Sequence, residues 1–528
     1  MTDPGVTPAT APSAVSAPSE PSEPSEPSAS SGRPRQSPPG AASAPTGLPA
    51  NPWPALWALV LGFFMILVDS TIVSIATPAL MRAFGADITA VLWVTSSYLL
   101  AYAVPLLITG RLGDRYGPKR MYQSGLVVFT LASLWCGLSG SIGMLIAARA
   151  VQGFGAAMMT PQTMAVITRT FPADRRGSAM ALWGATAGVA TLVGPVLGGV
   201  LIDHLGWEWI FFVNVPVGVL AFVLAWRLVP RLPTHARSFD WVGVVLSAFG
   251  LFCGVFAIQE GESHDWGTIY GPISVPLLLG LGTVSLVVFV WWQSRTTRDP
   301  LVPLSLFRDR NFSLANIGIT TVGFTITAMM FPFTIYAQLV RGLSPTMAAL
   351  LLAPQAVMSI LLARPVGRLV DRTHPRVLGG IGLFGLSMSV LLLAWLMRPD
   401  SPTWAILLAA VVLGATSSLV WGPLSTSANR NLPMALAGAG AGVYNTTRQM
   451  GSVLGSAAIA VLMASRLSAH LGAGAASAGE MQAGGGGLPA PLLEPFARAL
   501  AESMLLPAAV VLVGWVATLF FEKPRHLR

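Results

Sequence analysis

The chain has 528 residues, of which 53% are hydrophobic and only 10% charged, with a formal charge of +9. Charged residues make up about a quarter of an average soluble protein, so this composition excludes a soluble fold and describes a chain that crosses a membrane many times. The positive charge does not indicate a nucleic-acid partner, because the basic residues are confined to short hairpins between apolar segments, which is a topology pattern.

Residues 1–52 carry the tandem triplets Ser19-Glu20-Pro21, Ser22-Glu23-Pro24 and Ser25-Glu26-Pro27 within Ala, Ser and Pro. With almost no large apolar side chain this stretch cannot bury a core, and a disordered tail is expected. It lacks the basic start and apolar run of a signal peptide. Beyond it, fourteen apolar segments follow, near 54–76, 90–110, 121–140, 142–164, 178–200, 211–229, 240–258, 272–293, 312–339, 347–369, 377–397, 404–425, 438–465 and 500–521. All are expected to be helices, because lipid offers backbone groups no partner and the segments lack the alternation of barrel strands.

Along this order, Lys and Arg fall on alternate sides. One side collects Arg111, Arg115, Lys119, Arg120, Arg169, Arg227, Arg231, Arg295, Arg368, Arg372, Arg376 and Arg430 among others, and the opposite loops hold only Arg82, Arg341, Arg398, Arg466 and Arg498. The asymmetry places both termini in the cytoplasm of a cell-membrane protein, which requires an even number of spans.

The loop closing span two, Gly110-Arg111-Leu112-Gly113-Asp114-Arg115, recurs at the end of span ten as Gly367-Arg368-Leu369-Val370-Asp371-Arg372. Duplicated halves of this kind are the mark of secondary transporters. The offset is eight spans where directly joined six-helix halves would give six, so two extra helices separate the halves. The resulting division is a bundle over 53–230, an inserted helix pair with linkers over 231–300, a second bundle over 301–522 and a short tail over 523–528. The loop at 466–499 lies outside the membrane. It opens with a Gly, Ala and Ser-rich stretch expected to be flexible, and Leu492, Phe496 and Leu500 then recur at one-turn spacing, as in a helix lying on the membrane surface or in a plain linker.

Within the spans, Asp69 is the carboxylate placed deepest. A charge there costs several kcal/mol unless it faces a cavity or a partner, so Asp69 is either a proton carrier or a side chain reaching for the outer face. Arg149 in span four lies at a similar depth, about 10 Å below the outer surface by helical rise. Gln152 and Gly153 continue its face. Arg149 is therefore expected to hold Asp69 deprotonated in one state, unless the two form a purely structural pair. Asn445, Arg448 and Gln449, on one face of span thirteen near mid-membrane, are candidates to line a cavity from the second half and to repel cations or hold an anionic group. Tyr98 and Tyr102, one turn apart, either stack on an aromatic substrate or pack between helices. In span five, Gly194, Gly198 and Gly199 allow close helix approach and Pro195 bends the helix, which reads as a tight seam between the halves that resists proton leak.

These features together resemble the major facilitator superfamily, and within it the fourteen-helix drug:proton antiporters. The hairpin from Gly110 through Asp114, Arg115 and Gly117 to Arg120 looks like the superfamily's G-x-L-x-D-R-x-G-x-K loop. Arg149-Ala150-Val151-Gln152-Gly153-Phe154-Gly155 is similar to R-x-x-Q-G-x-G, and Gly194-Pro195-Val196-Leu197-Gly198-Gly199 to the G-P-x-x-G-G element of exporters. Residues Trp209 to Pro216 and Asp240-Trp241-Val242-Gly243 resemble fourteen-helix signatures, while Ser74 and Thr77 depart from the span-one pattern. The resemblance implies an all-α integral membrane fold of fourteen helices arranged 6+2+6. It also implies a cytoplasmic gate at Gly110, Asp114, Arg115, Gly117, Asp371 and Arg372.

The function expected from this reading is proton-coupled export of amphipathic organic compounds by a monomer. An uptake symporter and a membrane receptor or scaffold are the other classes. No cofactor is expected, since a proton gradient supplies the energy. The G-x-G-x-x-G match at Gly380 to Gly385 opens an apolar span with no strand before it, no P-loop or G-x-S-x-G element occurs, and the histidines have no metal-ligand spacing. Cys136 and Cys253 form no disulfide framework. The chain is therefore not read as an enzyme, and no metal is assigned.

Overall fold

The computed structural model describes residues 51–86, 88–172, 175–234, 240–261, 264–296, 300–433, 436–471 and 489–522. The N-terminal tail through residue 50, the Gly and Ala-rich part of the 466–499 loop and the C-terminal tail lie outside the described residues. Among those described, twelve helices are long and apolar enough to cross a membrane, and thirteen if the bent pair Trp93–Ala103 and Leu106–Tyr116 counts as one span. The remaining segment, span three, is the 20-residue helix Pro118–Gly137. It is less apolar because Lys119, Arg120 and Gln123 occupy its first turns.

Two spans differ from the expected outline for identifiable reasons. Span two breaks between Ala103 and Leu106, where Pro105 cannot donate to the helix ladder, and the halves meet at 46°. Span one ends its α-helix at Ile72, tightens through Val73–Ala76 and continues as Thr77–Phe84 to Gly85 at φ 57°. Gly85 takes the left-handed conformation that closes a helix without side-chain strain.

Spans seven (Trp241–Gly261) and eight (Val275–Arg295) form an antiparallel hairpin closed by the two short strands Thr268–Tyr270 and Ile273–Ser274. Gly282 sits so close to Gly250 that a Cβ there would lie 3.0 Å from its carbonyl oxygen, and Ser285 donates to the Leu246 carbonyl across the pair at 2.8 Å. Asp240 caps span seven by accepting from the Gly243 amide at 2.9 Å. The same carboxylate accepts from Trp292 Nε1 at 3.0 Å and Gln293 Nε2 at 2.7 Å on span eight. One acid thus ends one helix and ties the other to it, which gives the Asp240-Trp241-Val242-Gly243 stretch a local physical purpose.

The first half carries a core around Leu59, Ile66, Tyr122 and Phe129 and another around Ile72, Leu145, Ile210 and Phe211. A third core fills the second half and reaches the first through Phe63 and Trp183. Trp183, fully buried, stacks on Phe63 at 4.9 Å and meets Trp421 of span twelve (Thr403–Asn429) edge-on at 6.4 Å. Exposed tryptophans mark both ends of the spans: Trp57, Trp226, Trp241 and Trp291 at the arginine-rich end, and Trp209, Trp395 and Trp404 at the other. Such belts are where an indole can keep its ring in lipid and its N–H in water.

Helix Ala490–Ser503, ahead of the last helix Leu505–Leu519, buries Phe496, Ala497 and Leu500 in the second-half core. The one-turn apolar spacing there therefore serves packing on the bundle, not a helix lying on a membrane surface.

Candidate functional site

Asp69 near the end of span one is fully buried, and two other helices supply its partners. From span four (Ile142–Thr170), Arg149 donates through Nη1 to Oδ2 at 2.6 Å, and Gln152 donates through Nε2 to Oδ1 at 2.9 Å. From span six (Asn214–Leu228), Asn214 donates through Nδ2 to the same Oδ1 at 2.7 Å. Ser133 on span three stands behind, accepting from Gln152 at 2.6 Å and Asn214 at 3.3 Å. Arg149 also donates to Gln152 Oε1 at 2.7 Å and to the Val94 carbonyl at 3.2 Å, and its guanidinium lies 4.0 Å over the Tyr98 ring. The ion pair is thus held by neutral donors on the acid and an aromatic face on the base, which is what a charge pair in a low-dielectric interior requires.

The depth match between Asp69 and Arg149 is realised as direct contact, with Gln152 one turn along the same face. Sequence reasoning assigned no role in this cluster to Ser133 or Asn214. Both are single uncharged residues; Asn214 lies within the Trp209 to Pro216 stretch that resembles a fourteen-helix signature, and Ser133 carries no cue of that kind. Gly153 is small because a Cβ would run into the Tyr98 carbonyl where spans two and four cross. Tyr98 and Tyr102 are buried, stack on each other at 6.1 Å and hydrogen-bond to the Ile66 carbonyl at 3.4 Å and Thr160 Oγ1 at 3.1 Å. In this conformation they pack between helices and present no face to a substrate.

At the arginine-rich end, the hairpin of the first half grips the start of span thirteen (Ala437–Leu471) in the second. Asp114 Oδ1 accepts from the Gly438 amide and Oδ2 from the Ala439 amide, each at 3.0 Å. A carboxylate on the amide end of a helix is stabilised by the helix dipole as well as by the hydrogen bonds. Arg169 pairs with Asp114 from span four, and Arg111, 3.9 Å from the same acid, donates to the Pro300 carbonyl at 2.6 Å. Gly110 lies where a Cβ would come within 2.5 Å of the Gly438 carbonyl, so the backbones touch.

The second copy of the motif grips the opposite pair. Gly367 on span ten (Ala353–Arg372) abuts Ser178 at the start of span five (Arg176–Leu205), where a Cβ would meet the Ser178 Cα at 2.6 Å. Gly117 adopts φ 93° at the turn into span three, Arg115 lies near the Tyr116 ring, and Arg372 is exposed. The side chain of Asp371 lies outside the described set.

The span-five glycines divide their work differently from the expected seam. Gly194 abuts Thr71, and a Cβ on Gly198 would lie 2.7 Å from Ile72, both on span one of the same half. Only Gly199 faces the other half, with Thr346 Oγ1 3.0 Å from a Cβ placed there. The reason is helical: residues four apart share a face, and the face of Gly194 and Gly198 is turned to the neighbour within its bundle.

Asn445 and Gln449 are buried on span thirteen, and Asn445 donates to its own helix at the Ala441 carbonyl. Arg448 between them forms no ion pair with any described residue. An apolar groove of about 450 Å³ opens between spans one, five and ten, lined by Trp57, Val60, Leu182, Ala185, Ile360 and Ala363. It widens toward the arginine-rich end past Trp53, Arg364 and Arg368.

The family model of the Major Facilitator Superfamily matches residues 59–456. An uncharacterized MFS-type transporter of Mycobacterium tuberculosis is 52% identical over 480 residues, covering 89% of this chain and 81% of its own. The tetracenomycin C resistance and export protein of Streptomyces glaucescens is 33% identical over 446 residues, covering 81% and 79%. The solved structure of the human organic anion transporter MFSD10 superposes with a TM-score of 0.61 at 13% identity, covering 89% of this chain and all of that one, a likeness of fold.

Proposed function

The chain belongs to the major facilitator superfamily, and from that membership we propose that it is a proton-coupled antiporter that exports amphipathic organic compounds across the cell membrane, with both termini in the cytoplasm. The observation that carries this reading is the buried Asp69, whose carboxylate is shared by Arg149, Gln152 and Asn214 from two other helices. A protonatable group so placed costs free energy that a purely structural helix contact would avoid. The name of the Streptomyces relative supports the export direction, and the apolar groove with arginines at its wide end suits a ligand with an apolar body and a polar tip.

In the cycle, Arg149 holds Asp69 ionised while the arginine-rich end is locked by Asp114 and Gly367. A proton arriving from outside neutralises Asp69, the pair loses its Coulombic attraction, and span four is released to move as the inner end opens. Departure of the proton to the cytoplasm restores the pair. One proton crossing 100 mV releases about 2.3 kcal/mol, and each tenfold gradient of a neutral solute costs about 1.4 kcal/mol, so a gradient on the order of fifty-fold is within reach.

The test is proton movement in inside-out vesicles with an acidic lumen as amphipathic dyes and antibiotics are added. Wild type releases protons with a substrate and Asp69→Asn does not. Equal release by both would remove Asp69 from coupling, and proton-driven accumulation in right-side-out vesicles would reverse the direction to uptake.

A further inference from the structure

We propose that the compound carried is an amphipathic anion, and that Arg448 is the residue that holds its acidic group. This rests on the exporter reading and names its substrate class.

Span thirteen has a lipid side marked by the exposed Leu454 and Val461. Asn445 lies nine positions before Leu454, which at about 100° per residue is the opposite side of the helix. Arg448 follows Asn445 by three positions, beside it on that inward side. Backbone contacts bound that inward side: a Cβ on Gly442 would lie 3.1 Å from the Leu106 carbonyl of span two, while span nine (Arg310–Ile335) packs along the edge that Arg448 shares with Gly455, where a Cβ on Gly323 would lie 2.3 Å from the Arg448 carbonyl. Arg448 therefore stands at the span-nine edge of the side that faces the interior.

There its guanidinium is left over. Nε and Nη2 are buried with no hydrogen-bond partner among the described residues, as are Asn445 Oδ1, three positions before on the same helix, and the Tyr444 hydroxyl one turn before. Comparison with Arg149 makes the point: that arginine reaches a carboxylate, an amide and a carbonyl, whereas Arg448 has no acid. The described acids nearest the interior are committed elsewhere, Asp69 to Arg149, Asp114 to Arg169 and Glu260 to His264. Arg448 as a whole is half-buried, but a cation inside a span with two buried nitrogens unpartnered and no counter-charge is costly, and by default it marks a site that a ligand completes. The fork of a guanidinium fits a carboxylate with two parallel hydrogen bonds. Asn445 and Tyr444 add polar atoms that can meet a hydroxyl or carbonyl next to the acid.

A second observation points to the same sign of charge. Arg364 and Arg368, one turn apart at the wide end of the apolar groove, are exposed and form no ion pair with a described residue. Arg364 lies two turns inside the end of span ten, deeper than a topology signal needs. The described lining of that groove contains no acid. Cations would be repelled at this mouth and again at Arg448.

The experiment uses full-length protein in phosphatidylcholine nanodiscs, with 1-pyrenebutyrate and its methyl ester as the first of several aromatic acid and ester pairs. Binding is read by energy transfer from tryptophan, against empty discs. Wild type is expected to bind at least one acid ten times or more tighter than its ester, and to lose that preference at a pH where the probe's own carboxyl is protonated. Arg448→Gln should bring the acid to the level of the ester without altering ester binding, and Arg448→Lys should keep part of the preference. Equal binding of acids and esters by wild type would overturn the proposal even if no variant folded. So would an equal loss of both probes in an Arg448→Gln protein whose thermal midpoint is unchanged. Because no proton gradient is applied, acid-over-ester binding alongside vesicles that release no protons would count against proton coupling and still support the anion site.

Discussion

Taking one donor away from Asp69 leaves an oxygen that is buried and only partly satisfied. Asn214→Ala removes the 2.7 Å hydrogen bond to Oδ1 and, with it, a contact to Ser133. Loss of a hydrogen bond to a charged group costs roughly 1.5–3 kcal/mol, and a lower thermal midpoint of the purified protein together with weaker substrate-driven proton release is expected. An unchanged midpoint would mean that Gln152 alone suffices. Gly153→Ala brings a methyl onto the Tyr98 carbonyl, where backbone cannot yield as a side chain can, and overpacking of this kind costs about 1–3 kcal/mol. The residues of this cluster were not equally legible in the sequence. Asp69 and Arg149 stand out because charges inside apolar runs are rare and their depths can be counted along each helix. Asn214 and Ser133 do not, because polar uncharged residues are scattered through most spans and nothing local tells which of them turns toward an acid 145 positions away.

Among the helical elements, the hairpin of spans seven and eight carries its own test at Asp240. Burial alone would push this carboxyl up, but the Gly243 amide, Gln293, Trp292 and the Leu301 amide together outweigh it and hold the group below the usual carboxylate range. A carboxyl depressed in the folded chain contributes its full stabilisation above its unfolded value of about 3.9, and loses it as pH falls through the lower folded value. Wild type should therefore lose thermal stability over that acid window more steeply than Asp240→Asn, whose amide does not titrate. Parallel curves for the two proteins would remove Asp240 as the cause. Hydropathy found the long helices because lipid leaves backbone no alternative, though spans four and thirteen run six residues past their expected ends, to Thr170 and Leu471. It could not place the break at Pro105, since proline is tolerated inside many of these spans, as at Pro161, Pro195 and Pro423. Nor could it separate the two jobs of the span-five glycines, which depend on which neighbour each helical face meets.

Across the whole molecule, the offset of eight between the two hairpins anticipated the extra helix pair, because a duplication leaves a ruler in the numbering that no packing detail can blur. What the ruler could not disclose is that each hairpin closes on the other half. Asp114 takes the first amides of span thirteen, and Gly367 presses against Ser178. If these contacts part together, a thiol at Ser178→Cys should react slowly with a membrane-impermeant maleimide in the otherwise wild-type protein and several-fold faster when Asp114→Ala is added. An unaltered rate would make the two contacts independent. On the proposed cycle the two contacts act as bolts at opposite corners of one door, and drawing one loosens the other. Passage waits on the rarer moment when both are drawn at once. A compound that jammed either corner would therefore halt turnover however much cargo was present, an inhibition that crowding the route with substrate could not relieve.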